Sequence, residues 1–471
     1  MQFRKTKIIS TLGPATASDS AIRGLIRAGM DVARLNFSHG DRETHRGTIR
    51  TVRRLAEESG RPVGILQDLG GPKIRLGKLP GEVRKLEAGE TIMLAPVEAA
   101  DELSIPVNYP YIVEDVSEGD RILLADGLVL LEVKSKEKKR VMCEVQVGGV
   151  IQSHKGLSLP SSSLRVPAFT DKDRGDLKLG LEEGVDFVAL SFVRHEKDLE
   201  PVREMLVTSK NPPLCIAKIE KPQAVDRLEE ILVQVDGLMV ARGDLGVEMP
   251  LEQVPVIQKK IIRMARRAGK PVITATQMLR SMVDNPRPTR AEAADVANAV
   301  LDGTDAVMLS EETAIGEYPV EAVEMLDRII RATEPHLQER LFADDSYTDP
   351  SPKTEWAIGR SACFLAEDLQ ASAIIACTSS GSTARLVARF RPVCPLLGLT
   401  PNRLTKRQLT LSWGVIPAIV TDFKDTDEFF ELAGSWALEH RFVEPGGRLI
   451  VTAGVPVGKA GTTNLLKVIE I

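Results

Sequence analysis

The sequence predicts an α/β protein built on a closed (β/α)8 barrel, with an inserted all-β domain and a separate C-terminal α/β domain. Three observations predict it. First, eight short apolar runs alternate with helix-length amphipathic stretches. Second, one interval is instead rich in turns and strand-like pieces. Third, the pattern of predicted helices and strands changes beyond about residue 343. The 471 residues are enough for two or three domains.

The apolar runs are typical of buried parallel strands, because their apolar content is nearly continuous. We expect these strands at residues 7–12, 31–36, 62–68, 186–191, 214–219, 237–241, 271–276 and 305–309. Helices are expected between most of them, including 18–28, 251–268 and 290–300. A capping-box pattern, Thr289 with Glu292, precedes the last of these helices. Eight such units predict a barrel over residues 1–71 and 167–343.

Residues 72–166 interrupt the barrel rhythm after the third strand. They contain strand-like segments at 91–94, 121–123, 128–133 and 141–147, with a charged, hairpin-like tip at 134–140. Loops at the carboxyl ends of barrel strands are where a barrel accepts insertions that cover its active site. We therefore expect a small β domain that acts as a lid.

Residues 344–471 are expected to form the C-terminal domain, which begins with a polar linker at 344–353. A helix at 355–368, a strand at 373–377 and further strands near Leu396, Ile416 and Leu449 are predicted. The loop after the first strand is rich in hydroxyls and precedes a helix, a combination that suits an anion but is common. Its residues are Thr378, Ser379, Ser380, Gly381, Ser382 and Thr383.

Composition excludes several classes of function. The net charge is −5 and aromatic residues make up 4% of the chain, so a nucleic-acid partner is not expected. No apolar run reaches membrane-spanning length, and the charged N-terminus does not resemble a signal peptide. Five scattered cysteines without a Cys-x-x-Cys pair favour a reduced, cytoplasmic protein.

Charged residues follow two successive predicted strands. Lys218 and Glu220 close one strand and share a face, and Asp244 follows the next strand in an Ala-Arg-Gly-Asp sequence. Two carboxylates at neighbouring strand ends suit Mg²⁺, and a lysine beside them suits a phosphoryl group in transfer. The structural alternative is that each carboxylate caps a helix or pairs with a nearby cation, and a Lys218–Glu220 ion pair is compatible with both readings.

Other strand ends add polar groups at the same mouth. Arg34, Asn36 and Ser38 alternate where the second strand ends, so they share one face and suit anion or metal contacts. Further candidates are Asp68, Lys73 and Arg75 at the end of the third strand, Gly243 beside Asp244, and Thr276 at the end of the seventh strand. Taken singly, a glycine after a strand is usually a turn and a threonine there is most often structural.

These motifs together resemble those of the pyruvate kinase family over the whole chain. The matching segments are 34–40, 71–75, 218–220, 239–246, 275–279 and 285–302. The resemblance implies the same three-part architecture, with a C-terminal effector domain, and Mg²⁺-dependent phosphoryl transfer from phosphoenolpyruvate to ADP, which gives pyruvate and ATP. Mn²⁺ is a possible substitute for Mg²⁺.

The resemblance also implies roles for individual residues. Glu220 and Asp244 would hold the metal, while Lys218 and Arg34 would bind the phosphoryl group. Backbone at Gly243 and Asp244 would take the substrate carboxylate, and Thr276 would lie by the methylene carbon that is protonated. Contacts to nucleotide phosphates would come from Asn36, Arg75 and Lys172. A homotetramer and a phosphorylated effector at residues 378–383, completed by Lys406, Arg407 and the loop 454–461, are implied as well.

The region around Lys73 departs from the commoner family pattern. Many pyruvate kinases use K⁺, held at positions that correspond here to Asn36, Ser38, Asp68 and Leu69, and have glutamate at position 73. Here Lys73 supplies a tethered ammonium, and Leu69 stands where many members have a threonine. We therefore predict an enzyme that does not require K⁺. The alternative is that Lys73 pairs with Asp68 while K⁺ still binds nearby.

Two other functions fit part of the pattern. A barrel lyase or aldolase could bind a pyruvate enolate on a metal–carboxylate pair, but such enzymes lack a lid and cations for nucleotide phosphates. A catalytically dead sensor on the same fold would be expected to lose Lys218, Glu220, Asp244 or Arg34, and all four are present.

Overall fold

In the computed structural model, the described residues are 3–125, 127–160, 165–337, 353–422, 425–455 and 462–471. Eight parallel strands close into the predicted barrel, in the order β1-β8-β7-β6-β5-β4-β3-β2. The strands are β1 (Lys7–Leu12), β2 (Val32–Asn36), β3 (Gly64–Asp68), β4 (Phe187–Leu190), β5 (Leu214–Ile219), β6 (Gly237–Ala241), β7 (Val272–Ala275) and β8 (Ala306–Leu309).

Helices surround the barrel, and their buried apolar residues form one core with the outward-facing side chains of the strands. Their α-helical segments are Asp19–Ala28, Arg42–Glu58, Asp171–Glu183, Glu200–Val207, Pro222–Asp226, Leu228–Gln234, Arg242–Glu248, Val254–Arg267, Arg290–Leu301, Glu311–Ala314 and Pro319–Thr333. The predicted capping box is confirmed, because Thr289 Oγ1 accepts from the N–H of Glu292 while the Glu292 carboxylate accepts from the N–H of Thr289. The three predicted helices all exist, with ends within a few residues of those expected.

The insertion between β3 and β4 is built mainly of β-strands around its own apolar core. The expected all-β character holds except for one short α-helix, Ile112–Asp115, and a 3-10 turn at Val97–Ala99. Its strands are Val83–Leu86, Thr91–Pro96, Ser104–Val107, Arg121–Leu124, Val129–Lys136, Val141–Val147, Gly149–Gln152 and Leu157–Ser158. The four predicted strands are present. The predicted tip at 134–140 was placed too early, because the strand continues to Lys136 and pairs there with Val141.

The C-terminal unit is a five-stranded sheet flanked by helices. Its strands are Ala373–Cys377, Leu396–Thr400, Val415–Ile419, Arg448–Gly454 and Thr463–Glu470, and its α-helices are Thr354–Asp368, Ser382–Ala388, Arg403–Gln408 and Thr426–Glu439. The last strand is antiparallel to its neighbour and forms an edge of the sheet. The predicted boundary near 343 and most of the linker 344–353 lie outside the described residues.

A repeated aspartate closes the amino-terminal end of the barrel. The residue before each even-numbered strand is Asp31, Asp186, Asp236 or Asp305. Each carboxylate accepts a hydrogen bond of 2.8–3.0 Å from a backbone N–H near the start of the preceding odd-numbered strand. Asp186 and Asp305 are buried, whereas Asp31 is half-buried and Asp236 is exposed. All four carboxylates satisfy N–H groups that the sheet would otherwise leave unpaired.

Two of these aspartates also attach the C-terminal domain. Arg407 Nε donates to Asp186 Oδ1 at 2.7 Å, and Arg391 Nη1 donates to Asp305 Oδ1 at 3.0 Å. The C-terminal domain therefore contacts the amino-terminal end of the barrel, opposite to the mouth at which the predicted site residues lie.

Candidate active site

Lys218 lies near the carboxyl end of β5 with its ammonium surrounded by three oxygens. Nζ is 2.7 Å from Ser191 Oγ, 2.8 Å from Glu220 Oε1 and 3.3 Å from Asp68 Oδ1. Burial alone would lower the pKa of Lys218, but the negative charges of Asp68, Glu220 and Asp244 outweigh it and raise the pKa above its ordinary value. The lysine is thus held as a cation at the barrel mouth.

Glu220 and Asp244 face the same cleft in different environments. Glu220 is 1% exposed, accepts from the N–H of Phe192 at 2.7 Å and contacts Lys218. Burial, with a further contribution from Asp244, raises the pKa of Glu220. Asp244 is exposed, and within the described ranges its carboxylate has no hydrogen bond or ion pair.

This pair of carboxylates fits a hard divalent cation. Their oxygens are the ligands that Mg²⁺ prefers, and a cation would offset both the burial and the charge of Asp244 that raise the pKa of Glu220. The part of the chain that the structure describes contains no group of three or more His, Cys, Asp or Glu side chains arranged for a metal. Two protein carboxylates are consistent with an ion that completes its shell with water and substrate oxygens.

Arg34 and Asp68 form a buried pair beside Lys218. Arg34 Nε and Nη2 each lie 2.7 Å from Asp68 Oδ2, and Nη1 donates to Thr11 Oγ1 at 2.9 Å. Burial opposes ionisation of Asp68, but the charges of Lys218 and Arg34 lower its pKa below its usual value. The predicted grouping of Arg34, Asp68 and Lys218 therefore occurs in the structure.

Thr276 has an unusual backbone conformation at the end of β7. Its φ is +70° and that of Gln277 is +55°, in the left-handed region that non-glycine residues rarely adopt. Thr276 Oγ1 accepts from the N–H of Gly243 at 2.8 Å and donates to the Ala275 carbonyl at 2.6 Å. The N–H of Gly243, expected to meet a substrate carboxylate, is thus already bonded to Thr276.

Arg242, which the sequence reasoning passed over, fixes this turn. Its Nη2 donates to the Thr276 carbonyl at 2.6 Å, and its Nη1 lies 2.6 Å from Asp295 Oδ2. The sequence feature that could have identified Arg242 is its place in the motif that also contains Gly243 and Asp244. Its bonds to the backbone show that it supports the strained turn from the outside.

A cavity of about 450 Å³ lies between the barrel mouth and the inserted domain. Lys73, Arg75, Glu220 and Asp244 line it, together with residues 153–159 of the insertion. Lys73 remains exposed to solvent in this cleft, and its ammonium has no hydrogen bond or ion pair among the residues that are described. Although part of the side chain meets solvent, the walls of the cleft desolvate the ammonium, and this desolvation together with the charge of Lys218 lowers the pKa of Lys73.

The side chain of Leu69 points away from this cleft. It is fully buried in the core between strands and helices, together with Ile65, whereas Leu66 lies in the barrel interior. A threonine at position 69 would face the same core. The loss of a side-chain oxygen there therefore cannot support the argument about K⁺, which depends on Lys73.

Asn36, Ser38 and Lys172 lie near one another around the loop after β2. Asn36 Oδ1 accepts from the N–H of Ser38 at 3.1 Å, so this amide also shapes the loop. Lys172 Nζ donates at 2.6 Å to the Phe37 carbonyl and to Asp176 Oδ2. Its charge is therefore partly neutralised, and a nucleotide phosphate would compete with Asp176 for it.

The candidate effector loop uses part of its polar groups internally. Thr378 Oγ1 accepts from the N–H of Gly381 at 2.8 Å, and the Thr383 and Thr463 hydroxyls are 2.8 Å apart. Both Thr378 and Thr383 are buried, so the accessible hydroxyls belong to Ser379, Ser380 and Ser382.

Arg407 and the loop 454–461 were expected to complete the effector site, and the structure does not support this role for Arg407. Arg407 is bonded to Asp186 of the barrel rather than free to meet a ligand. Residues 456–461 of the suggested loop lie outside the described residues.

The mouth of this barrel combines a buried ammonium, two carboxylates and a basic cleft under an inserted domain. Such a mouth suits a phosphate-bearing substrate that binds with a divalent cation. Fold and site therefore define a barrel enzyme that handles phosphoryl groups. No helix in the described part of the chain is long and apolar enough to cross a membrane.

Comparisons with known proteins give the family. Residues 3–323 match the family model "Pyruvate kinase, barrel domain", and residues 356–469 match "Pyruvate kinase, alpha/beta domain". The chain is 48% identical over 472 residues to pyruvate kinase 2 of Synechocystis sp., with 99% of the chain and 79% of that protein covered. It is 45% identical over 466 residues to the pyruvate kinase of Methylorubrum extorquens, with 99% and 97% covered.

A solved structure agrees with these matches. The fold superimposes on a crystal structure of a pyruvate kinase from Cryptosporidium parvum with a TM-score of 0.93 and 36% identity, covering 99% of this chain and 96% of the other. The chain belongs to the pyruvate kinase family.

Proposed function

We propose that this protein transfers the phosphoryl group of phosphoenolpyruvate to ADP and releases pyruvate and ATP. The observation that carries the proposal is the position of Lys218, a buried ammonium among Asp68, Ser191 and Glu220 at the edge of an open cleft. Phosphoryl transfer needs positioning and charge neutralisation more than covalent chemistry. This mouth offers both.

In the proposed reaction, the bond between phosphorus and the enol oxygen breaks and a β-phosphate oxygen of ADP forms a new bond to phosphorus. Lys218 and Arg34 neutralise charge on the phosphoryl group from two sides. The enolate that remains takes a proton at its methylene carbon, beside the Thr276 hydroxyl. Backbone at Gly243 and Asp244 receives the substrate carboxylate, and Gly243 must release Thr276 Oγ1 to do so.

Glu220 and Asp244 would hold Mg²⁺, with Mn²⁺ as a possible substitute. The bound ion supplies positive charge beside the phosphoryl and enol oxygens. Asn36, Arg75 and Lys172 are assigned to the nucleotide phosphates. Arg75 lines the cleft, which supports its assignment, whereas Lys172 would have to leave Asp176.

We also propose that K⁺ is not required. Asn36, Ser38, Asp68 and Lys73 form the region in which other family members bind the ion. The Lys73 ammonium has no ion-pair partner among the described residues. The charges of Asp244 and Asp68 favour its charged form, against the opposing charge of Lys218, and this supports its use as a built-in cation. The alternative, a Lys73–Asp68 pair, is not favoured, because Asp68 contacts Arg34 and Lys218 instead.

Further proposals come from the sequence and from the family resemblance. They are a homotetramer, a cytoplasmic location, domain boundaries at 71/72, 166/167 and 343/344, a lid role for the insertion, and a phosphorylated effector at residues 378–383. A sugar phosphate or a nucleotide would meet Ser379, Ser380 and Ser382, the accessible hydroxyls. Sugar phosphates and AMP can be screened for this site, and at least one of them should lower the half-saturating concentration of phosphoenolpyruvate. If none of these compounds changes that concentration, the effector site is contradicted.

A coupled assay with phosphoenolpyruvate and ADP tests the proposed reaction. Pyruvate should form only when ADP and Mg²⁺ are both present. A lyase would release pyruvate without ADP, and a dead sensor would release none, so the assay separates the three hypotheses.

A further inference from the structure

Ser191 is a buried hydroxyl whose hydrogen-bonding direction is fixed by its surroundings. It follows the last residue of β4 and is 2% exposed. Its Oγ donates its one proton to the Leu69 carbonyl at 2.8 Å. The lone pairs are then left to accept from Lys218 Nζ at 2.7 Å, so Ser191 contacts the lysine as an acceptor.

Among the three oxygens around Lys218, only that of Ser191 is uncharged. It is also the only one of the three that is not assigned to a second cation. Asp68 also binds Arg34, and its oxygen is 3.3 Å from Lys218 Nζ. Glu220 would turn toward a divalent cation when one binds, and its contact with Lys218 would then weaken. Ser191, at 2.7 Å, would remain the shortest contact that determines where the ammonium lies.

The turn that carries Ser191 is closely packed and hydrogen-bonded. Phe192 has φ +58°, and its N–H donates to Glu220 Oε2 at 2.7 Å. A Cβ atom placed on Gly71 would lie 2.8 Å from the Phe192 ring and 3.2 Å from Ser191 Cβ, so the loop before Lys73 packs tightly on this turn. One short turn thus contacts both the candidate phosphoryl-binding lysine and a candidate metal ligand.

We propose that Ser191 is a positioning residue that fixes the Lys218 ammonium for phosphoryl transfer. The inference rests on the proposed function and extends it to a residue that would not touch substrate. Without this acceptor, Lys218 keeps its charge through Asp68 and Glu220 but loses its fixed position. The loss should therefore appear in kcat rather than in substrate or metal affinity.

The test compares Ser191→Thr with Ser191→Val, which have nearly the same shape and differ in the hydroxyl. A hydrogen bond to a charged group at such a site is expected to change kcat by about 10- to 100-fold. The threonine variant should be at least about tenfold faster than the valine variant. Ser191→Ala should show the same fall in kcat, with KM for phosphoenolpyruvate within about threefold of the parent.

Ser10→Ala is the matched control. Ser10 is a fully buried serine of β1 whose hydroxyl has no partner in the described structure, and its removal should leave kcat unchanged. Titration of Mn²⁺ by electron paramagnetic resonance, without substrate, gives a readout besides activity. Because Phe192 holds Glu220 through its backbone, the Mn²⁺ affinity of Ser191→Ala should match that of the parent.

Equal kcat values for the threonine and valine variants, in an active parent background, would overturn the inference alone. A Ser191→Ala variant whose kcat equals that of the parent would do the same, and this comparison decides the matter if the larger side chains do not fold. A loss of Mn²⁺ affinity in Ser191→Ala would show collapse of the metal site and would also overturn it. A parent that forms no pyruvate overturns the proposed function and this inference with it.

Discussion

Replacement of Lys73 should convert this protein into an enzyme that responds to K⁺. Lys73→Met removes one positive charge from the cleft, and Lys73→Glu lowers the charge by two units. If the charge at position 73 and the negative charge of the substrate are about 7 Å apart, with an effective dielectric constant of about 20–40, each unit of charge changes their interaction free energy by about 1–2 kcal/mol. The kcat/KM for phosphoenolpyruvate should fall about 5- to 30-fold in the first variant and about 30- to 1000-fold in the second.

The assay measures initial rates of pyruvate formation with and without K⁺, at constant ionic strength with tetramethylammonium as the replacement cation. The parent should be fully active without K⁺ or NH4⁺, and K⁺ should partly restore Lys73→Glu. A many-fold stimulation of the parent by K⁺ would refute the reasoning. So would a Lys73→Glu variant with parental activity in the absence of K⁺.

The lowered pKa of Lys73 adds a dependence on pH. As the pH rises through this pKa, the ammonium of the free enzyme becomes a neutral amine and no longer replaces the ion. The kcat/KM for phosphoenolpyruvate should then fall in the parent, and K⁺ should become stimulatory only in that alkaline range. Lys73→Arg is the control, because its guanidinium stays charged and should show neither effect over the same range.

Three further outcomes are expected. Lys218→Met should lower kcat by a factor of about 100 to 1000 or more while phosphoenolpyruvate still binds in equilibrium titrations, and unchanged turnover would exclude the assigned role. Glu220→Gln and Asp244→Asn should each raise the Mg²⁺ concentration needed for half-maximal activity, and titration curves that overlay the parent would place the metal elsewhere. Asp186→Ala should lower the free energy of unfolding by about 3–5 kcal/mol, because it leaves Arg53 and Arg407 without their buried partner. Asp19→Ala, at the exposed pair with Arg54, should change it little, and equal effects in the two variants would contradict the importance of the buried attachment.

Much of the fold could be predicted because parallel strands buried on both faces leave a plain apolar signal. All eight barrel strands lie where those runs predicted them, and the polar residues at their carboxyl ends meet because a barrel brings those ends together. Lys218, Glu220, Asp68 and Arg34 could be grouped for this reason. Leu69 was misread although the alternation of side chains along β3 already places it opposite Asp68.

Other features depend on geometry that a single sequence does not reveal. Ser191 and Phe192 make their contacts in a turn where Phe192 has a positive φ, and Arg242 donates hydrogen bonds to backbone carbonyls. The partners of these three residues cannot be predicted from residue type. The strand Val83–Leu86 of the insertion is not predicted by the sequence, because it is brief and partly exposed. Arg407 could not be separated from a ligand-binding residue until its contact with Asp186 across the domain interface was seen.

The most direct test of the proposed reaction measures both products in one experiment. The parent protein is incubated with phosphoenolpyruvate, ADP and Mg²⁺, and pyruvate and ATP are quantified by separate coupled enzymes, with Lys218→Met in parallel. The proposed function predicts equal amounts of the two products, no pyruvate when ADP is omitted, and little of either from the variant. Pyruvate without ATP, or an active Lys218→Met variant, would contradict it.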